Sequence, residues 1–351
     1  MPLLARMVAC PLAVDIGSGT VAGLPTLLAD GRISSNGDVA VVVGPGQGER
    51  VAAAVRPALS RAEVHSVGGA TIEAALELAG ALRQGSYDAV VGIGGGRTLD
   101  AAKYAASLVG LPMVSVATNL AHDGIASPVA SLEHQGRKES HGVHIPIAVV
   151  VDLDYVRTCP PEQLRSGLGD ALSNLSALAD WGLASRERGE RIDGLAAAFA
   201  RSGAESLLYR TDELASDDFL TALAEALVLS GVAMAMAGSS RPCSGACHEI
   251  SHAIDALYPG TANHGEQVAV GALFASFLRG DDGAAQLDAA FRRHGVPRLP
   301  GDLGLSDEQF RSAVAHAPST RPDRYTILEH LDLSEDEIGV RVREFVDAFD
   351  R

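Results

Sequence analysis

Cysteine is scarce in this chain: four among 351 residues, irregularly spaced, which excludes a disulfide framework. Aromatics make up only 4% and include a single tryptophan, so the core must be packed from the plentiful alanine, valine, leucine and glycine, as in an α/β enzyme. Positive charge is also short. Lysine and arginine total 28 against 44 acidic residues, and the formal net charge of −16 argues against a nucleic-acid surface or attachment to an anionic membrane. An anionic small substrate stays compatible, because a site can be locally positive on a negative protein. Met1 to Pro11 hold one arginine and a short apolar run, too weak for a secretory signal. No stretch is expected to reach the uncharged apolar length that a bilayer span needs. These absences point to a soluble cytoplasmic protein with no nucleic-acid partner and no membrane insertion.

At 351 residues the chain suits two domains better than one core. Its first part alternates short apolar runs with helical patterns. Strands are expected at Val39–Val43, Glu63–Ser66, Ala89–Ile93, Met113–Val116 and Ile147–Val151, with helices at Ala52–Leu59, Thr71–Leu82 and Thr98–Leu108. Such alternation indicates βαβ units and a mostly parallel sheet. The border is expected between Asp154 and Pro161. Beyond it the strand signal disappears, and helical spacing recurs over Ala171–Ala184, Leu195–Ala200, Asp217–Ala237, Gln267–Leu278, Leu305–Ala317 and Glu335–Phe349.

The chemistry concentrates in a histidine cluster. His248 and His252 are four apart and share one helix face, and His264 follows past the turn Tyr258-Pro259-Gly260. Imidazole suits zinc and other borderline divalent ions, and two helical ligands with a third from elsewhere leave a coordination position open. Local hydrogen bonding within a core is the plainer explanation of such a pair. Asp170, in Gly167-Leu168-Gly169-Asp170, reads as the N-cap of the helix that follows it, or as a carboxylate joining two imidazoles in a three-ligand site. A competing arrangement is Cys243-x3-Cys247-His248, whose thiolates would make a more closed site.

Gly94-Gly95-Gly96-Arg97-Thr98 lies between a strand and a helix, where glycines and free helix N–H groups suit a pyrophosphate. It matches neither GxGxxG nor the P-loop, and a tight connection alone would use the same residues. Asp100 and Lys103 stand one turn apart on that helix, as a salt bridge or as groups at the same mouth. His122-Asp123-Gly124-Ile125-Ala126-Ser127-Pro128 leaves the carboxyl end of another strand, the edge where open α/β sheets bind ligands, although a capped Asp-Gly turn reads equally well. Thr118, between that strand and the loop, is a further candidate cofactor contact.

Together these motifs resemble the superfamily of metal-dependent polyol dehydrogenases, iron-containing alcohol dehydrogenases and dehydroquinate synthases, and within it the sn-glycerol-1-phosphate dehydrogenases. The stretches that carry the resemblance are GIGGGRTLDAAKYAA from Gly92, HDGIASPVAS from His122, GLGDALSNLSALADW from Gly167, RPCSGACHEISHAID from Arg241, HGEQVAVG from His264 and RPDRYTILE from Arg321. The resemblance implies a Rossmann-like α/β domain (1–160) and an all-helical metal- and substrate-binding domain (161–351), with the site in the cleft between them. It implies a divalent metal, zinc being the expected ion, on Asp170, His248 and His264. NAD(P)H is implied on Gly94, Gly95, Gly96, Arg97, Thr98, Asp100 and Thr118, with Asp123 and Ser127 near substrate and nicotinamide. His252 falls where relatives relay protons beside the substrate. Cys247 departs from the pattern, which has an acid there, and His141 lies in a segment more polar than usual.

The reaction expected on that basis is reduction of a small phosphorylated ketone by NAD(P)H, with dihydroxyacetone phosphate as the leading substrate. Arg241 or Lys138 are candidates for the phosphate. A sugar-phosphate cyclase of the dehydroquinate-synthase type and an unphosphorylated polyol or glycerol dehydrogenase are the alternatives, and a non-catalytic binding relative is a third. A homo-oligomer is expected.

Overall fold

The strands at 39–43, 89–94, 113–117 and 148–152 are near-continuous runs of valine, isoleucine, alanine and glycine, and every residue in them is buried. Strands covered on both faces read this way, and such strands form parallel sheets with helices above and below. The computed structural model describes residues 9–59 and 61–350, so the reading of Met1 to Pro11 falls mostly outside the described residues. The chain divides into two compact units, Met1–Cys159 and Pro160–Arg351.

In the first unit β1 (Ala13–Gly17), β2 (Val39–Val43), β3 (Ala62–Ser66), β4 (Ala89–Gly94), β5 (Met113–Ala117) and β8 (Ala148–Asp152) make a parallel sheet in the order β1-β8-β5-β4-β2-β3. The register pairs Val43 with Ile93, Gly94 with Ala117, Ala117 with Val151 and Gly17 with Asp152. The carboxyl ends of the strands therefore lie along one edge, and every loop carrying a polar motif leaves from it. The helices Ile72–Gln84 and Gly96–Val109 match their expected places, whereas Gln47–Val55 starts earlier than expected, inside the glycine-rich turn.

Two strands were not expected from the sequence besides the edge strand β1. β6 (Val129–His134) and β7 (Arg137–Gly142) form an antiparallel hairpin turned by Gln135 and Gly136, both at positive φ as a two-residue turn of primed type requires. β7 is polar and largely exposed, so it shows no hydrophobic alternation. His141 is accounted for here: it sits opposite Ala130, with its ring edge-on to Tyr104 at 5.2 Å.

Every regular element among the described residues of the second unit is a helix. Asp217–Ala237 is the one helix among the described residues that is long and apolar enough to cross a membrane by length and composition, its 18-residue window of mean hydropathy 1.9 including Glu225. Within the unit 67% of that apolar window is buried, as in a core helix apolar on all sides. Asp170 brings a correction. It caps nothing, because the helix begins at Pro161 and runs to Arg188, which puts Asp170 in its interior. Gly167 and Gly169 do not break that helix. A Cβ on Gly169 would strike the Gly265 carbonyl, and one on Gly265 would strike that of Ser166. Gly271 likewise admits the Cys247 backbone, so glycines draw Pro161–Arg188, Ala246–Leu257 and His264–Arg279 into close contact.

Candidate active site

The nucleotide-type motifs of the first unit converge as the strand register requires. Gly95 caps the helix Gly96–Val109 without a side-chain bond, and Thr118 N–H donates to the Gly94 carbonyl at 3.0 Å. The glycines at this mouth are needed for space: a Cβ on Gly96 would collide with the His122 imidazole, and one on Gly95 with the Asn119 amide. Thr98 is buried against Gly44 and Gly94, while Arg97 is exposed in the first turn. Asp123 begins a short 3-10 turn in which His122 Nδ1 accepts the Gly124 N–H at 3.0 Å.

Asp100 and Ser127 turn inward. The Lys103 side chain is wholly buried, and its ammonium lies 2.9 Å from Asp100 Oδ1. It also donates to the carbonyls of Gly124 at 2.9 Å and Ser127 at 3.3 Å. Asp100 Oδ2 accepts the Ser131 N–H, and the Ser127 hydroxyl donates to the Val129 carbonyl. This cation therefore holds the 122–131 loop in shape from beneath. Lys103→Met should cost about 3–5 kcal/mol, because it strands Asp100 and several carbonyls away from water; denaturant unfolding of the variant measures it.

In the second unit Asp170, His248 and His264 meet. Their ligating atoms lie within 4.8 Å of one another, with Asp170 Oδ1 at 3.6 Å from His248 Nε2 and 3.9 Å from His264 Nε2. Two ligands of one divalent ion, each bonded at about 2.1 Å, stand at most about 4 Å apart, so the carboxylate lies within range of both imidazoles. The three come from three different helices. Among the described residues this is the only such grouping of His, Cys, Asp or Glu. His252 is outside it: the helical histidine pair does not share an ion, and the rings of His248 and His252 lie 6.5 Å apart. The cysteine alternative does not assemble. Cys243 is buried with its thiol toward the Ser230 carbonyl, and the Cys247 sulfur lies 3.4 Å from His248 Nδ1, the nitrogen facing away from Asp170.

The electrostatics around this trio are lopsided. Burial weakens proton binding at His248, but the Cys247 sulfur and the Asp170 carboxylate outweigh it and push the pKa up to about 10. Burial takes His252 well below the usual histidine range, helped by the charges of Arg321, His248, His264 and Arg324. Glu249 is fully buried, and burial with the nearby Glu329 raises its pKa to about 9. It is therefore a neutral acid at pH 7. The Thr326 hydroxyl, which lies 2.7 Å from Glu329 and 3.0 Å from Glu249, opposes this shift only in part. Arg241 is tied to Glu190 at 2.7 Å and to the Tyr325 carbonyl, and Lys138 lies on the exposed hairpin of the other unit. Arg321 and Arg324 instead share the Ser240 hydroxyl, and burial lowers the pKa of both, Arg324 to about 10. Both guanidinium groups are half-buried, and Asp323 and Glu249 are the acidic groups that act on the two of them. Sequence reasoning missed them because RPDRYTILE was valued as a family pattern and not for its guanidinium groups.

Residues 15–160 match the profile of the iron-containing alcohol dehydrogenase family. Over 340 residues the chain is 36% identical to glycerol-1-phosphate dehydrogenase (NAD(P)+) of Staphylothermus marinus, covering 95% of this chain and 96% of that one. It is 41% identical to the enzyme of the same name from Archaeoglobus fulgidus over 266 residues, 74% and 75% of the two chains. The chain belongs to the glycerol-1-phosphate dehydrogenase family. Among solved structures, a probable glycerol dehydrogenase from Sinorhizobium meliloti superposes with a TM-score of 0.77 at 22% identity, over 98% of this chain and 99% of that one. Sulfoacetaldehyde reductase from Bifidobacterium kashiwanohense, solved with NAD+, gives 0.73 at 17% identity, over 97% and 99%. At these identities the likeness shows the fold. This member of the family brings Asp170, His248 and His264 together and has Cys247 against the back of the His248 imidazole.

Proposed function

We propose that this chain reduces dihydroxyacetone phosphate to sn-glycerol 1-phosphate with NADH or NADPH, using a divalent ion on Asp170, His248 and His264. The observation that carries it is the trio itself, assembled from three helices, with the half-buried Arg321 and Arg324 acting on the adjacent His252. When bound, the ion would polarise the ketone oxygen as a Lewis acid, and the nicotinamide would supply the hydride. We assign zinc, which suits one carboxylate and two imidazoles; iron and nickel are the alternatives for metal analysis to decide.

The chain's own groups divide the remaining work. Arg321 and Arg324 are assigned to the substrate phosphate, replacing Arg241 and Lys138, which the geometry engages or exposes elsewhere. His252, kept neutral by burial, is assigned to proton relay, since a neutral imidazole accepts at one nitrogen and releases from the other. Gly94, Gly95, Gly96, Arg97, Thr98 and Thr118 are assigned to the cofactor, with Asp123 at the same mouth. Asp100 and Ser127 are given the positioning of that loop in place of direct contact, because their polar atoms are engaged within it. Four free cysteines fit a reducing compartment, and we place the protein in the cytoplasm.

Net oxidation of NADH or NADPH on adding dihydroxyacetone phosphate tests the reading. A cyclase would show no net change at the nicotinamide band. On cofactor choice, β2 ends at Val43 and Gly44-Pro45-Gly46 follow, so no acid stands there to repel a 2′-phosphate before Glu49; Arg50 is beside it. Both cofactors should therefore be used. A preference for NADH above roughly a thousandfold, about 4 kcal/mol, would contradict this.

A further inference from the structure

The Ser251 hydroxyl lies between two groups that each constrain its single proton. Its oxygen is 2.7 Å from Gln267 Oε1 and 3.2 Å from His264 Nδ1. The Gln267 amide nitrogen in turn lies 3.1 Å from Asp255 Oδ1 and 3.4 Å from the Ala262 carbonyl. Ser251 and Gln267 are completely buried, so no water competes for these positions.

The chemistry of the end groups fixes every direction in this chain. A carboxylate and a carbonyl only accept, so the Gln267 NH2 faces Asp255 and Ala262 and its Oε1 faces Ser251. An amide oxygen only accepts, so the serine proton points to Gln267. The serine oxygen then offers a lone pair to His264 Nδ1, which must carry a proton to meet it. In the neutral ring His264 Nε2, 3.9 Å from Asp170 Oδ1, then carries no proton. We propose that Asp255, Gln267 and Ser251 are positioning residues that lock His264 in the Nδ1–H tautomer, so that Nε2 presents its lone pair to the ion.

This rests on the metal reading above and adds its supporting layer. The hydrogen bond made by a histidine's outer nitrogen decides which nitrogen can ligate and how the ring is held. The chain also spans two of the three site helices: Ser251 and Asp255 are one turn apart on Ala246–Leu257, and Gln267 is in the first turn of His264–Arg279. The two imidazoles are thus held unequally. Among the described residues the outer nitrogen of His248 meets the Cys247 sulfur, at 3.4 Å, whereas that of His264 ends a chain anchored on a carboxylate.

The test compares the wild type with Ser251→Ala, Gln267→Met and Ser251→Thr. Imidazole nitrogen NMR of the metal-free protein, at a pH where His264 is neutral, should find the proton on Nδ1 in the wild type and in Ser251→Thr. Ser251→Ala and Gln267→Met should give a mixture of tautomers. Competition with a chelator should show Zn2+ held about 10–100-fold more weakly by Ser251→Ala, with partial return in Ser251→Thr. A wild-type proton on His264 Nε2, or Zn2+ affinity unchanged in both Ser251→Ala and Gln267→Met, overturns the proposal. A wild type that binds no Zn2+ would instead defeat the metal reading, and the tautomer measurement would still decide the chain.

Discussion

Asp170→Ala should lose the metal ion and about three orders of magnitude or more in kcat/KM, while the helical unit stays folded. The size of the loss follows from what the carboxylate does. It is the one negative charge among the three ligands, and polarising a ketone oxygen supplies several kcal/mol of the barrier reduction, each 1.4 kcal/mol being tenfold. The fold should survive because the contact between Pro161–Arg188 and His264–Arg279 is made by Gly169 and Gly265 against opposing backbone, not by the carboxylate. Proton linkage gives a second readout. With no ion present the His248 pKa lies near 10, above its ordinary value of 6.5, largely in spite of burial and because of Cys247 and Asp170. A raised pKa stabilises the metal-free fold fully below about 6.5, and the contribution is lost as pH rises through about 10. Ion binding, which needs the bare nitrogen, must tighten over that same window and release a proton near neutrality. Calorimetry in buffers of different ionisation heat measures the proton. Elemental analysis with steady-state rates measures the rest, and full metal occupancy with unchanged turnover in His264→Ala would sink the site.

How far the sequence could reveal this arrangement depended on the range of each interaction. The strand at Ala89–Gly94 and its glycine turn were legible because a buried parallel strand and a close approach of backbone are both local in sequence. Asp170 was misplaced within its helix by the same logic. Gly167 and Gly169 look like punctuation when read alone, and for Gly169 only the partner helix about a hundred residues on explains it. The β6–β7 hairpin escaped notice because its outer strand is polar and its turn is Gln-Gly, not the Asn-Gly or Asp-Gly that signals such turns. His248 and His252 looked like a ligand pair at helical spacing, but the ion geometry takes one of them and pairs it with His264. What could not be read at all was the charge environment. Arg321 and Arg324 are ordinary arginines until the fold removes part of their solvent and burial raises the Glu249 pKa to about 9.

That environment carries the other large effect. The wild type should prefer dihydroxyacetone phosphate to dihydroxyacetone strongly in kcat/KM, and replacing Arg321 and Arg324 together by Ala should collapse the preference by about a hundredfold to a thousandfold. Half-buried guanidinium groups, beside Asp323 and a Glu249 whose pKa is raised, have lost part of their water, a condition that a dianionic phosphate relieves. Removing one side of a buried charge pair costs about 2–5 kcal/mol, which sets the size of the loss. Binding energy from a phosphate that does not react can be spent on orienting the ketone, so kcat should fall along with affinity. The plain ketone never makes this contact, so its kcat/KM should hardly change, and that separates phosphate recognition from damage to the metal site. Lysine at both positions should restore only part of the preference, because an ammonium cannot reproduce the paired donors of a guanidinium. Steady-state rates on both ketones decide the matter. Equal kcat/KM for the two in the wild type would move the protein to the unphosphorylated polyol dehydrogenases. An unchanged ratio in the double variant would mean that the phosphate is held by other groups and that this pair of arginines serves the fold.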